Sequence, residues 1–212
     1  MAAAIPQEFL GHFRFAEYHR VDRIKLLDAT GGKFGHLFGD NLMNNGDFEM
    51  QMYVNASKEL AVPGISEPKI TDLVTEGMDD AICWLPKRNF ISEIIMLINV
   101  GMLCCGHKGV WHGGVTSALF DNAFGILGCS ILEMAATKYL NIQFRAPILV
   151  GDSVALVVSF DPELLLPEKG DRFVAHGKMY NQRGVVVATG ESELVDVSSK
   201  WPSKTRRTPA DQ

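Results

Sequence analysis

Hydrophobic and polar positions divide the chain into two unequal parts, and the regular one runs from Asn89 to Val197. Ile91 to Cys105 is an apolar run of strand type, closed by the loop Cys105-Gly-His-Lys-Gly109. Gly114 to Met134 is longer than a strand and rich in alanine, leucine and small residues, which predicts a buried helix. Lys138 to Ala146 then alternates: Leu140, Ile142 and Phe144 point one way, Tyr139, Asn141, Gln143 and Arg145 the other. Ser153 to Phe160 and Arg172 to Tyr180 predict two further strands, and Asn181-Gln-Arg-Gly184 a hairpin turn into Val185 to Val197. A long helix followed by consecutive strands predicts an α+β fold in which an antiparallel sheet covers the helix.

Residues 1 to 88 lack that regularity. They hold a helical-looking stretch near Phe9 to Leu27, glycines at positions 31, 32, 35 and 39, and a short alternating run from Phe48 to Val54. Beyond the breaks at Pro63, Gly64 and Pro68, Ile70 to Trp84 has the pattern of another short helix. These 88 residues read as an N-terminal extension of unknown role, 89–197 as the folded domain, and 198–212 as a flexible tail with Pro202, Arg206, Arg207 and Pro209.

Composition narrows the function classes. With 212 residues, 47% of them hydrophobic, the chain is long enough for one large domain or a domain with an extension. A net charge of -5 with scattered basic residues argues against nucleic acid as the main partner, since phosphate neutralisation needs clustered positive charge. A local basic spot for a phosphorylated small molecule remains compatible with it. Cys83, Cys104, Cys105 and Cys129 sit in apolar runs without metal-site spacing and read as reduced core residues of an intracellular protein. The most apolar run contains Glu93 and Asn99 and is too short to span a bilayer. The N-terminus carries Arg14, His19 and Arg20 but also Glu8 and Glu17, which weakens a mitochondrial transit reading, so a cytoplasmic or mitochondrial location is expected.

The chemistry concentrates in Trp111-His-Gly-Gly-Val-Thr-Ser-Ala-Leu-Phe-Asp121. Two glycines at a helix start permit a tight turn and leave N–H groups uncovered where the helix dipole favours negative charge. Gly114, Ser117, Ala118, Asp121, Gly125 and Gly128 share one helical face, so a carboxylate lies within a stripe of small residues. Such a stripe by itself signals close backbone packing, but a charge in an apolar helix is costly unless paired or used. Seven positions separate Gly114 from Asp121, about 10 Å along the axis, so one carbonyl does not touch both. If both act on one acyl carbon, the second comes from a partner chain, which predicts a composite site in a homodimer.

His112-Gly-Gly, with Asp121 nine positions on and Thr137 sixteen beyond that, leading into Thr-Lys-Tyr-Leu-Asn-Ile-Gln-Phe-Arg-Ala-Pro147, resembles the HGG-type hotdog-fold acyl-CoA thioesterases. The resemblance covers about half of the chain. It implies a long central helix wrapped by an antiparallel sheet of five to six strands, and hydrolysis of an acyl-CoA thioester in a homodimer or dimer of dimers. No metal and no cofactor is implied, coenzyme A being part of the substrate. By similarity, the Gly114 N–H next to Gly113 polarises the thioester carbonyl. Asp121 of the other subunit is general base or nucleophile, Thr137 holds the water or orients the carboxylate, and His112 shapes the loop and contacts the thioester. Gln143 and Arg145 match positions that contact coenzyme A, and Arg172 a second phosphate-binding position. Some relatives carry an amide ahead of the His-Gly-Gly; here Gly106-His-Lys-Gly109 stands there, with His107 as the available substitute. Two other readings stay open: a non-catalytic acyl-CoA-binding or partner-regulating hotdog dimer, and hydratase chemistry, for which His176 is the available histidine.

Overall fold

The computed structural model describes residues 19–21, 48–55, 92–132, 135–160 and 172–200. In chain order these form β1 (His19–Val21), β2 (Phe48–Asn55), β3 (Glu93–Val100), a 3-10 turn (Met102–Cys104), the short β4 (Cys105–His107) and β5 (Val110–Trp111), helix α1 (Gly113–Ile131), β6 (Ala135–Phe144), β7 (Ser153–Phe160), β8 (Arg172–Asn181) and β9 (Val186–Asp196). Seven strands make one antiparallel sheet in the order β1-β2-β3-β7-β8-β9-β6, and β4 pairs with β5 apart from it. The α+β arrangement of a helix against a large antiparallel sheet is therefore the hotdog architecture expected.

The strand count corrects the expected five to six. Two strands come from before residue 88: His19–Val21, which lies within a stretch that looked helical, and Phe48–Asn55, whose alternation was visible. β2 pairs with β3 over its whole length, from Phe48↔Val100 to Asn55↔Glu93. Its Met50, Met52 and Val54 are buried in the same core as the helix, so the sheet does not stop at residue 88. The helix expected over Ile70 to Trp84 lies outside the described residues, as do Cys83 and positions 201–212. Cys104 is buried, Cys105 half-buried, and neither is in a disulfide.

The continuous apolar run has a simple cause in β3. Ile94, Met96 and Ile98 face the helix, while Ile95 and Leu97 on the opposite face are buried too, so no polar residue alternates in. Gly101 ends the strand in an extended conformation and the 3-10 turn follows, with Met102 and Leu103 exposed.

α1 is buried along Leu119, Phe120, Ala123, Phe124 and Leu127. Full burial of a large apolar side chain stabilises by about 1.5–3 kcal/mol, so this face fixes which way the helix points. Phe120 needs space that only glycine leaves. Gly177 on β8 and Gly190 on β9 are direct cross-strand partners. A Cβ on Gly190 would lie 2.6 Å from Phe120 Cδ1, and one on Gly177 2.8 Å from Phe120 Cε1. Gly128 meets the sheet as closely, with its Cβ position 2.8 Å from that of Ala135.

Gly190→Ala should therefore overpack the seat of Phe120 and lower stability by about 1–3 kcal/mol in denaturant unfolding. Adding Phe120→Leu should recover part of the loss; a Gly190→Ala chain as stable as wild type would remove this contact from the account of the fold.

Candidate active site

The loop ahead of α1 is pinned by backbone hydrogen bonds. Trp111 N–H donates to Ile148 O at 2.9 Å, and His112 N–H to Cys104 O at 2.8 Å. Gly109, at φ 75°, supplies the left-handed residue of the β4–β5 turn. His112 is thereby held in extended backbone as the N-cap of α1. Its imidazole lies between two glycines: a Cβ on Gly106 would come within 2.8 Å of His112 Cδ2, and one on Gly114 within 2.8 Å of His112 Nδ1. Gly113 has a separate reason, because a Cβ there would meet the Phe144 ring at 3.2 Å.

The Gly114 N–H was expected to be uncovered; it donates to His112 Nδ1 at 2.8 Å. A neutral imidazole has one acceptor nitrogen, so this bond fixes the tautomer with the proton on Nε2. The Gly113 N–H at the first position of the helix has no partner among the described residues. Gly113 lines a cavity of about 360 Å³ together with Trp111, Thr116, Phe144, Arg145 and Ile148. The Trp111 Nε1–H is buried without a hydrogen-bond partner, an arrangement that costs about 1–3 kcal/mol.

Asp121 is exposed, not buried in an apolar surround. The helix turns most of its small-residue stripe outward: Gly114 and Asp121 are exposed, Ser117, Ala118 and Gly125 half-exposed, and a Cβ on Gly125 would meet no described residue within 4 Å, whereas Gly128 at the far end is buried against the sheet. Thr137 Oγ1 donates to Asp121 Oδ1 at 2.7 Å. A β-bulge makes that bond possible. Thr137 pairs with Leu194 and Tyr139 with the adjacent Glu193, so Lys138 is an extra residue on β6. Without it Thr137 would share the outer face of Tyr139, Asn141 and Gln143; with it, Thr137 turns to the helix side. Asp121 and Thr137 are thus brought together in one protomer. Helix geometry still separates them from the Gly113–His112 end by at least about 12 Å.

Gln143 and Arg145 are also together, with Arg145 Nη2 donating to Gln143 Oε1 at 2.6 Å. Arg172 is not with them. It pairs with Val195, whereas the Arg145 N–H bonds to Val187 O, a separation of about 26 Å along β9 at 3.3 Å per residue. Arg172 Nη1 instead reaches Glu193 Oε1 at 3.4 Å, beside the Lys138 Nζ to Glu193 Oε2 contact at 2.9 Å. Lys138 first, and Arg172 second, hold the Glu193 carboxyl below its ordinary range. His107 is exposed on β4, and His176 is exposed on the outer face of the sheet, its Nδ1 3.6 Å from Glu191 Oε2, so neither stands with Asp121 and Thr137.

The chain resembles known proteins over this same region. Residues 108–160 match the family model of the Thioesterase superfamily, from the β4–β5 turn to the end of β7. No curated protein matches the chain. Among solved structures it is similar to the E. coli PaaI protein from the phenylacetic acid degradation operon, at 19% identity and TM-score 0.44, over 49% of this chain and 72% of that one. It is similar also to smu.793 from Streptococcus mutans UA159, solved bound to acetyl CoA, at 19% identity and TM-score 0.44, over 49% and 80%. Thioesterase superfamily member 2 from Mus musculus gives 19% identity and TM-score 0.42, over 48% and 73%. Among the described residues no helix is long and apolar enough to cross a membrane.

Two measurements check the site geometry. Nitrogen-15 NMR of His112 should show an unprotonated Nδ1 and a protonated Nε2 near neutral pH; the opposite tautomer would contradict the cap. Tyr139 donates to Glu191 Oε1 at 2.8 Å, and that bond first, with burial and nearby carboxylate charge, raises its phenol above the ordinary 10.0. A raised value favours the folded chain below pH 10, and the contribution is lost as pH rises through the folded value. Ultraviolet titration should therefore show a phenol step above pH 10 that Tyr139→Phe removes.

Proposed function

We propose that this chain, whose residues 108–160 are of Thioesterase-superfamily type, hydrolyses an acyl-CoA thioester to a free acid and coenzyme A in a homodimer. The observation that carries the reading is the Asp121–Thr137 hydrogen bond on the open stripe of α1. It holds a carboxylate in one orientation and leaves its other oxygen for a water or an acyl carbon. In this reading Asp121 removes a proton from water as the oxygen attacks the carbonyl, or attacks that carbon itself. The C–S bond breaks and the sulfur leaves as the thiol, taking the proton from Asp121 on the first route and from water on the second, where water then cleaves the acyl-aspartyl anhydride to the free acid.

The developing oxyanion needs a fixed donor at the positive end of a helix. Gly113 N–H fits that role better than Gly114 N–H, which is engaged by His112. His112 then acts by fixing the first turn of α1 and presenting Nε2–H outward. Because Gly113 and Asp121 are eight residues apart in one helix, about 12 Å along its axis, a site that uses both takes them from two protomers with antiparallel helices. The exposed stripe and the outer edge of β6, unpaired among the described residues, suit such a partner, since a long unpaired edge strand is a template for pairing.

A thiol-release assay over short, long and aromatic acyl-CoAs tests the activity. Asp121→Asn should lower turnover by about 10²–10⁴-fold with the fold retained, and Thr137→Val should lower it less. Detectable acyl-CoA binding with no turnover by the wild-type chain would point to a binding module and end the hydrolase reading. A Cβ at Gly125 meets no described residue within 4 Å, so Gly125→Leu should fold normally, elute at monomer mass and lose activity. An active monomer would rule out the composite site.

A further inference from the structure

The outer face of β6, β9 and β8 carries polar residues in rows across the strands. Register sets Gln143 opposite Thr189 and Thr189 opposite Lys178; the next row is Asn141, Glu191 and His176. These residues, with Arg145, line a second cavity, of about 310 Å³. Strand spacing puts Lys178 about 10 Å from Gln143, with the Thr189 hydroxyl between them. Gln143 in turn accepts from Arg145. Among the described residues neither Arg145 nor Lys178 forms an ion pair. Glu191, the carboxylate on this wall, is engaged by the Tyr139 hydroxyl at 2.8 Å and lies 3.6 Å from His176 Nδ1. The basin is therefore a place where two cations without carboxylate partners face one concavity.

Arg145 also lines the cavity at Gly113, so the two hollows share a wall. A ligand lying along Arg145 would have an apolar, carbonyl-bearing end at the first N–H of α1 and an anionic end among Arg145, Thr189 and Lys178. Arg172, expected as the second phosphate contact, is about 26 Å away and paired with Glu193. Resting on the acyl-CoA reading above, we propose that this outer basin holds the phosphorylated end of the coenzyme A thioester, with Lys178 in the anchoring role expected of Arg172. Charge-assisted bonds from separated cations suit phosphate oxygens, and loss of one typically weakens binding by about tenfold.

Lys178 is exposed, so Lys178→Ala and Lys178→Glu should fold as wild type, which circular dichroism checks. The experiment compares kcat/KM for an acyl-CoA and for the same acyl group on pantetheine, which lacks the nucleotide phosphates. In wild type the ratio should favour the acyl-CoA; Lys178→Glu should reduce that ratio about tenfold or more, mainly through KM, and Lys178→Ala less. A ratio in Lys178→Glu within twofold of wild type overturns the assignment. If the wild-type chain hydrolyses neither substrate, the hydrolase reading fails by itself, and equilibrium dialysis with coenzyme A then decides the basin. A Kd raised about tenfold by Lys178→Glu supports it, and an equal Kd overturns it.

Discussion

How deeply α1 can sit on the sheet is set by Phe120 against the facing glycines Gly177 and Gly190. Any side chain at either glycine would lift the helix, and its position decides what else touches the sheet. With Phe120 seated, Leu119, Ala123, Phe124 and Leu127 fall into the core, and Gly114, Ser117, Ala118 and Gly125 on the other face are left exposed or half-exposed. The stripe is open because the apolar face of the helix is satisfied within the protomer. Asp121 escapes the desolvation that a carboxylate in a buried helix would suffer, since it lies on the outward face.

The second constraint is one extra residue. Lys138 bulges from β6, and the face-switch it causes carries Thr137 to Asp121 while Tyr139, Asn141 and Gln143 stay outward. One insertion thus serves both sides of the sheet: the hydroxyl that orients the carboxylate on one, and the polar rows that line the outer basin on the other. Lys138 itself turns to Glu193 and, together with Arg172, neutralises it. Arg172 is absent from the basin because register sets it about 26 Å along the sheet from Arg145, where it pairs with Glu193 instead.

Much of this was legible in the chain because periodicity reports directly on burial. The helix faces followed from the spacing of Leu119, Phe120, Ala123, Phe124 and Leu127, and the strands from alternation in Tyr139 to Arg145 and the turn at Asn181 to Gly184. What stayed hidden has a physical reason in each case. A bulge changes no residue type, so alternation from Lys138 to Ala146 carries no sign that Thr137 turns to the helix side. The cap on Gly114 depends on an imidazole rotamer, which spacing does not encode. β1 joins the sheet through backbone hydrogen bonds across a long sequence separation, and local pattern carries no trace of that partner. Lys178 was within reach: the hairpin turn sets the β8–β9 register, and alternation from Arg172 brings His176 and Lys178 to its outer face.

Two features left open by the protomer lie on the same side. The Asp121–Thr137 bond joins α1 to β6, so the open part of the helix stripe and the edge of that ten-residue strand, unpaired among the described residues, are neighbours, and one approaching surface would cover both. A strand edge wants another strand, and a stripe of glycine and alanine wants another backbone at close range. In the proposed dimer a second copy running antiparallel would supply both at once, with its own edge and its own stripe related by the two-fold axis. The same approach would bring the partner's helix N-terminus toward Asp121, the group that it cannot reach in its own chain. Pairing of the edges and completion of the site would then be one event, and a change that blocks the first, such as bulk at Gly125, would remove the second without touching any reacting group.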